Sequence, residues 1–199
     1  MKKALQFFSL LVCFVLFSTV VFAFELTTDF VSTYDGQTTT SKMYMKDTKV
    51  RVESAGQPFY SIIRSDKKVM WMVSPAEKTY MEMPFDQSRA PKTDEKFKGE
   101  ISRRLLGKET IDRHPTEKYE VVYNENGKDI KVYQWIAKDI NNFPIKLMAV
   151  DGSWMVEYKN IKTSAPDNVF EVPAGYTKTS MPAMPNMQGM ERRPAQRKR

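Results

Sequence analysis

Between residues 41 and 162 the chain is built largely from short runs in which apolar and polar side chains alternate. In SKMYMK, Met43 and Met45 project to one side, because successive side chains of an extended chain point to opposite faces. A period of two is typical of a β-strand with one buried face. Ten such runs follow one another: SKMYMK, KVRVE, FYSIIRS, KVMWMVS, EKTYMEM, ISRRLLGKE, KYEVVY, DIKVYQWIA, FPIKLMAV and SWMVEYKNIK. With no long amphipathic helical pattern, the sequence predicts a mainly β protein of about ten strands.

The connections between these runs are short and rich in turn residues. Ser65-Asp66-Lys67 and Ser74-Pro75-Ala76 separate neighbouring runs, and Asn126-Gly127 and Asp151-Gly152 are typical of tight hairpin turns. Short connections favour antiparallel neighbours, and the polar faces carry Lys, Glu and Arg. We therefore expect a single curved antiparallel sheet, an incomplete barrel with few short helices, that is wet on one face and apolar on the other.

Alternation also predicts which side chains line the apolar interior. The inward candidates are Met43, Met45, Val50, Val52, Met81, Met83, Tyr119, Val121, Tyr123, Ile145, Leu147, Trp154, Val156 and Tyr158. The run KVMWMVS is apolar on both sides, so alternation leaves open whether Val69, Trp71 and Val73 point inward or Met70 and Met72 do. The pattern also fits a strand that is covered on both faces. Trp71 is added to the inward set as a candidate lipid-binding residue.

One polar segment, PFDQSRAPKTDEKFKGE at residues 84–100, divides the pattern into two halves. It fits a short helix capped by Thr93, with acidic residues in its first turn, which would close the open side of the sheet. It equally fits a loop that joins the two halves.

The first 23 residues have the composition of a secretory signal peptide. Lys2 and Lys3 precede a long apolar run, and Val21-Phe22-Ala23 fits an export cleavage site. The run is also long enough for an uncleaved membrane anchor. Cleavage after Ala23 predicts a periplasmic protein and removes Cys13, the only cysteine. The exported chain would then have no disulfide, no thiolate nucleophile and no cysteine metal site.

The positive charge is concentrated at the end of the chain. The formal net charge is +7, and Lys2 and Lys3 contribute two of these positive charges. Residues 191–199, ERRPAQRKR, hold five basic side chains against one Glu. The simplest interpretation is a solvated basic tail, and the functional one is attraction to an anionic membrane surface. Export and the lack of an aromatic reading surface argue against nucleic acid as a partner.

Several spaced motifs resemble a family of uncharacterised exported bacterial proteins related to the LolA and LolB lipoprotein carriers. They are KVRVE, RSDKKVMWMVSPAEKTYMEMP, LLGKETIDRHPTEKYEVV and DNVFEVPAGYTK, in that order. The resemblance spans residues 25–178 and implies a half-open antiparallel barrel whose apolar cavity receives acyl chains. It predicts a LolA-like domain at residues 24–178. The composition of residues 179–199 predicts a disordered Met- and Pro-rich basic tail. Arg51 is the nearest match to the cavity arginine of LolA, but alternation points it outward.

The residue chemistry favours binding over catalysis. The chain has one histidine, and His114 lies in the turn-like segment DRHPTE, where a surface role is expected. We therefore expect no enzymatic activity, no cofactor and no metal. The methionine pairs suit a pocket for varied apolar ligands, although they also suit a filled core. The favoured function is a periplasmic non-enzymatic protein that shields lipid or lipoprotein acyl chains.

Two other functions remain open from the sequence. Thioethers bind Cu(I), and Met181, Met184, Met187 and Met190 recur every three residues in the tail, as in a metal-binding accessory protein. Alternatively, the protein has a structural role in the envelope and its interior is simply filled.

Overall fold

The computed structural model describes residues 24–86 and 95–180. It contains twelve strands in one curved sheet and a 3₁₀ helix at Asp167–Phe170. The strands are β1 (Glu25–Tyr34), β2 (Gln37–Lys46), β3 (Lys49–Ser54), β4 (Tyr60–Arg64), β5 (Val69–Ser74), β6 (Thr79–Pro84), β7 (Glu100–Ile111), β8 (His114–Glu125), β9 (Lys128–Ala137), β10 (Phe143–Ala149), β11 (Trp154–Lys162) and β12 (Thr177–Thr179). In these two stretches, no helix has the length and apolarity to cross a bilayer.

The sheet consists of two blocks of sequential strands that meet at β1 and β11. Its order is β12-β6-β5-β4-β3-β2-β1-β11-β10-β9-β8-β7, and every neighbouring pair is antiparallel except β12 with β6. The predicted curved antiparallel sheet is confirmed, with more strands than expected. The additional strands are β1, whose sequence ELTTDFVSTY alternates weakly, and β12, whose three residues TKT carry no apolar side chain.

The local turn chemistry explains the hairpins. Asn126 and Gly127 have φ values of 54° and 80° and join β8 directly to β9, as a two-residue turn with two positive φ angles requires. The β10–β11 connection is longer than two residues. There, Gly152 has a φ of 75°, and the carboxylate of Asp151 accepts hydrogen bonds from the backbone N–H and hydroxyl of Ser153 at 3.0 and 2.7 Å.

The strand register carries mainly apolar side chains in continuous rows across the first six strands. One row runs through Leu26, Met45, Val50, Ile63, Met70 and Met83. The next row runs through Thr28, Met43, Val52, Ser61, Met72 and Met81. We call the side of the sheet that carries these rows the methionine face. It continues across the β1–β11 pair, where Phe30 lies beside Tyr158.

The opposite face of β3–β6 is covered by the chain that follows β11. Val172 and Tyr176 from this segment pack on a cluster formed by Tyr60, Ile62, Trp71 and Val73. The segment is also fastened by Arg64, which is only 5% exposed and donates to the Phe170 carbonyl at 3.3 Å and to the Glu171 carboxylate. Apolar burial and a buried cation therefore hold the C-terminal chain against this half of the sheet.

The connection from β6 to β7 runs between opposite ends of the sheet. Ten inter-strand steps separate these strands, which is about 48 Å in a flat sheet. Residues 85–99 would span about 50 Å only if fully extended, whereas residues 98 and 99 form a turn. The connection is thus barely long enough for a flat sheet of this width, and curvature brings the two edges closer together. Its described end, residues 95–99, lies on the methionine face.

Candidate ligand cavity on the methionine face

A cavity of about 470 Å³ lies on the methionine face between β8, β9, β10, β11 and the segment 95–99. This volume is within the usual range of small-ligand pockets, about 300–1,000 Å³. Its walls are mainly apolar and its charged groups are on exposed residues. The lining residues are Lys96, Phe97, Lys98, Tyr123, Glu125, Gln134, Pro144, Leu147, Val156 and Tyr158.

The structure brings all but one of the predicted site residues to the methionine face. Four of them line the cavity: Tyr123, Leu147, Val156 and Tyr158. Four others are buried in the packed core: Met43, Met45, Val121 and Ile145. The remaining six are partly exposed on this face: Val50, Val52, Met81, Met83, Tyr119 and Trp154. The interior is therefore partly filled core and partly cavity, and lipid binding by these residues stays a prediction.

Trp71 is the residue that lies apart. It pairs with Ile62 and Glu82 on the face opposite the methionines, and its indole N–H donates to the Glu82 carboxylate at 2.9 Å. Met70 and Met72 take the methionine face instead. The run KVMWMVS is apolar on both sides because the C-terminal segment covers the second face of β5, a long-range packing that alternation within one strand does not reveal.

Six residues of the cavity lining were not predicted, and two of them, Phe97 and Gln134, matter most for the wall. Phe97 comes from the polar segment, and its ring stacks on that of Tyr123. Gln134 sits on β9 between Tyr119 and Leu147 of the neighbouring strands. A sequence signal for Gln134 exists, since it is the one polar residue in the otherwise apolar alternation of Ile130, Val132 and Ile136.

Burial controls the ionisation of the cavity tyrosines. Removal from water raises the pKa of Tyr158 to about 12, and the same desolvation raises the pKa of Tyr123. Both phenols therefore remain neutral at physiological pH. The chemistry of the wall is thus apolar surface with neutral hydrogen-bonding groups.

A charged cluster lies beside the cavity where β7 meets β8. The guanidinium of Arg103 donates to both oxygens of Glu100, at 2.9 and 2.8 Å, and to the Glu95 carbonyl at 2.7 Å. These bonds lower the pKa of Glu100. Arg103 also lies 5.0 Å from the centre of the Tyr119 ring. The cluster ties the segment 95–99 to β7 and so positions Phe97 over the sheet.

The hydroxyl of Tyr119 donates to Glu117 at 2.6 Å. This hydrogen bond is the main cause that raises the pKa of Tyr119 to about 12 and lowers the pKa of Glu117 to about 2, with Lys138 and Lys108 also stabilising the carboxylate. Tyr119 is therefore held by its hydroxyl while its ring remains on the methionine face.

Arg51 and His114 lie outside the cavity. Arg51 is on the opposite face, as alternation predicts, with its guanidinium 3.7 Å from the centre of the Tyr60 ring and a hydrogen bond of 3.2 Å to the Val169 carbonyl. His114 begins β8, and its Nδ1 lies 2.8 Å from Oδ2 of Asp139. Arg51 thus contacts the C-terminal segment, and His114 takes part in a polar contact at the end of a strand.

A second depression, of about 570 Å³, lies on the opposite face. Its lining includes the charged residues Asp29, Lys42, Arg51 and Glu53, and Lys42 and Asp29 form an ion pair at 2.9 Å across it. This depression is shallower and more open to solvent than the cavity on the methionine face, so we take the cavity as the candidate site.

Several predictions fall on residues outside 24–86 and 95–180. These are the signal peptide and its cleavage after Ala23, the helix start at Thr93, the tail methionines and the basic residues 191–199. They stay predictions. Within the described part of the chain, no three His, Cys, Asp or Glu side chains are grouped closely enough to hold a metal ion.

The fold and the cavity define a protein with an open, curved β-sheet and an apolar pocket on one face. The chain belongs to the family described as a domain of unknown function, DUF4412, whose model matches residues 24–143. That match extends from the residue before β1 to the first residue of β10. No curated protein has a significantly similar sequence.

Among solved structures, MucB has a similar fold at low sequence identity. MucB is 13% identical with a TM-score of 0.52, over 76% of this chain and 58% of MucB. The chain thus spans little more than half the length of that protein. The LolA superfamily protein NE2245 from Nitrosomonas europaea is 13% identical over 75% of this chain and 90% of its own, with a TM-score of 0.32. A putative outer membrane lipoprotein-sorting protein domain from Vibrio parahaemolyticus is 12% identical over 74% and 88%, with a TM-score of 0.31.

Proposed function

We propose that this protein is a non-enzymatic periplasmic binding protein that shields lipid or lipoprotein acyl chains in the cavity on its methionine face. The observation that carries the proposal is the cavity itself, a partly open space of about 470 Å³ whose walls include Phe97, Leu147 and Val156. Burial of an acyl chain there would be favourable by about 25 cal/mol for each Å² of apolar surface removed from water.

Three further features support a binding role. The cavity tyrosines are neutral, so the wall does not repel an apolar chain. The partly exposed methionines of β5 and β6 extend the apolar surface beyond the cavity, and their flexible thioethers adapt to ligands of different shape. The sequence of the first 23 residues favours export, which would place the protein in an aqueous compartment where acyl chains need shielding.

Native mass spectrometry of the protein, purified from the periplasm without detergent, tests the proposal. We expect a bound lipid in a one-to-one complex, which organic extraction would release and identify. A protein that is empty after gentle purification, and that takes up no added fatty acid or phospholipid, would contradict the proposal.

A pair of adjacent substitutions localises the ligand. Leu147 lines the cavity, whereas Met148 pairs with Met155 and Tyr133 on the opposite face. Leu147→Trp should fill the cavity and reduce lipid uptake, while Met148→Trp adds the same bulk on the other side of the same strand and should leave uptake intact. Circular dichroism of both variants checks that the sheet is retained.

A further inference from the structure

Gln134 is the buried polar side chain in the wall of the cavity. It is 2% exposed, lies between Tyr119 and Leu147 on the neighbouring strands, and is among the cavity-lining residues. Within residues 24–86 and 95–180, its Oε1 atom has no hydrogen-bond partner. A buried carbonyl oxygen without a partner is destabilising, since it has lost its hydrogen bonds to water.

The neighbours of Gln134 show that a polar side chain is unusual at this position. Its strand neighbours on the same face, Val132 and Ile136, are fully buried apolar residues. An apolar side chain of the same length, such as methionine, would continue that pattern without any unpaired atom. A polar group at this point is expected where the cavity holds something that bonds to it.

We infer that Gln134 anchors the polar linkage group of an acyl-chain ligand, an amide or a carboxyl group, while the apolar walls hold the hydrocarbon. The unpaired Oε1 atom is an acceptor, so an amide N–H or a carboxyl O–H can donate to it, whereas an ester has no donor. Lys96 and Lys98 lie exposed at the edge of the cavity. There they would face the part of a bound ligand that remains in contact with water. This inference rests on the proposed function and narrows its ligand from any apolar chain to one with a hydrogen-bonding linkage.

Two ligands that differ only in the linkage test this inference. A long-chain N-methyl amide and the methyl ester of equal length are compared by displacement of a fluorescent fatty-acid probe. Only the amide has an N–H that can donate to Oε1 of Gln134, so the wild-type protein should bind the amide about tenfold more tightly than the ester. The variant Gln134→Met keeps the length of the side chain and should lose this preference, with the ester bound at least as tightly as by the wild type.

Tyr133→Phe is the matched control, because Tyr133 precedes Gln134 on the same strand and lies on the opposite face beside Met148. It should retain the tenfold preference for the amide. An amide preference that survives Gln134→Met, or a wild-type protein that binds both ligands equally, would overturn the inference alone. A wild-type protein that binds neither ligand would overturn the proposed function as well.

The stability of the empty protein gives a second measurement that needs no ligand. If the amide is unpaired in the empty cavity, Gln134→Met should raise the urea concentration at the midpoint of unfolding. A lower midpoint would show that the amide is bonded within the empty protein, to protein or to buried water only, and would overturn its role as a ligand anchor.

Discussion

The ring of Phe97 stacks on the ring of Tyr123, with centroids 4.4 Å apart and planes 9° from parallel. This contact joins the segment that enters β7 to the middle of the methionine face. It also forms one side of the cavity, because both rings are part of its lining. We therefore expect the ring of Phe97 to contribute to ligand binding in the cavity.

Phe97→Ala should weaken binding of a fatty-acid probe and destabilise the protein by about 2 kcal/mol, because a half-buried ring loses part of the 3–5 kcal/mol typical of buried Phe→Ala changes. Phe59→Ala is the control, as Phe59 is exposed and lies outside this cavity. Urea unfolding and probe titration measure the two effects. Unchanged probe affinity in Phe97→Ala would show that the segment 95–99 does not contribute to the site.

Arg64 should be the most sensitive charged residue for stability. Arg64→Met leaves Asp66 and Glu171 without their buried partner and frees the segment after β11, so we expect a loss of about 3 kcal/mol or more in the free energy of unfolding. Arg104→Met is the matched control, since Arg104 is 69% exposed and its pair with Glu120 should contribute less than about 1 kcal/mol. Equal effects of the two substitutions would contradict this interpretation.

The Arg64–Asp66 pair also predicts an acid dependence. The hydrogen bonds from Arg64 lower the pKa of Asp66 from 3.8 to about 2. The folded state therefore binds the proton less tightly than the unfolded state, and the stabilisation is present above pH 4 and is lost as the pH falls towards 2. Asp66→Asn should reduce stability at pH 6 and flatten the decline below pH 4, as measured by urea unfolding.

Asp35→Asn, in the exposed turn between β1 and β2, provides the control for the acid dependence. It should leave stability at pH 6 close to that of the wild type. A curve of stability against pH that is the same for Asp66→Asn and the wild type would refute the assigned role of Asp66.

The raised pKa of Tyr158 predicts that the stability of the folded protein falls at alkaline pH, whereas the lowered pKa of Asp66 predicts a fall at acidic pH. Burial raises its pKa from 10.0 to about 12, so the unfolded state loses the phenolic proton first. Its contribution to stability is present below pH 10 and is lost as the pH rises through 12. Ultraviolet absorbance of the phenolate in wild type and Tyr158→Phe would isolate this titration. If the two proteins show the same late-titrating signal, Tyr158 is not the group responsible.

The basic tail gives a prediction that concerns membranes. Replacing its five basic residues, Arg192, Arg193, Arg197, Lys198 and Arg199, with Gln should weaken binding to vesicles containing anionic lipid, by about 1 kcal/mol for each charge near the surface. Co-sedimentation at low and high salt measures the effect. The same substitutions should leave fatty-acid uptake unchanged, since the cavity is formed by other residues. Vesicle binding that does not respond to the substitutions would exclude the tail as the attachment point.

The methionines show what the alternation of side chains can predict and what it cannot. The spacing of Met81 and Met83 places both on one face of β6, and the register pairs them with Met72 and Met70 on β5. Alternation alone leaves the face of β5 undecided, because Trp71 and Val73 are also buried. The missing information is the covering chain after β11, which is distant in sequence and packs on the second face.

The cavity residues show a similar limit. Leu147 and Val156 could be predicted because they follow the apolar period of their own strands. Phe97 could not, because it lies in a polar connection without a period, and only its contact with Tyr123 gives it a place. Gln134 interrupts the apolar alternation of its strand, and the sequence shows this. That it lines a cavity can be concluded only when the residues around it in the fold are known.

The sequence alone determined the class of structure, the hairpin turn at Asn126-Gly127 and the sorting of side chains within most strands, because these depend on interactions between residues close in the chain. The tertiary structure decided the pairing of β1 with β11, the covering of each face and the division of the interior into packed core and cavity. Those features depend on contacts between distant segments, and a two-residue period carries no information about which distant segment covers a face.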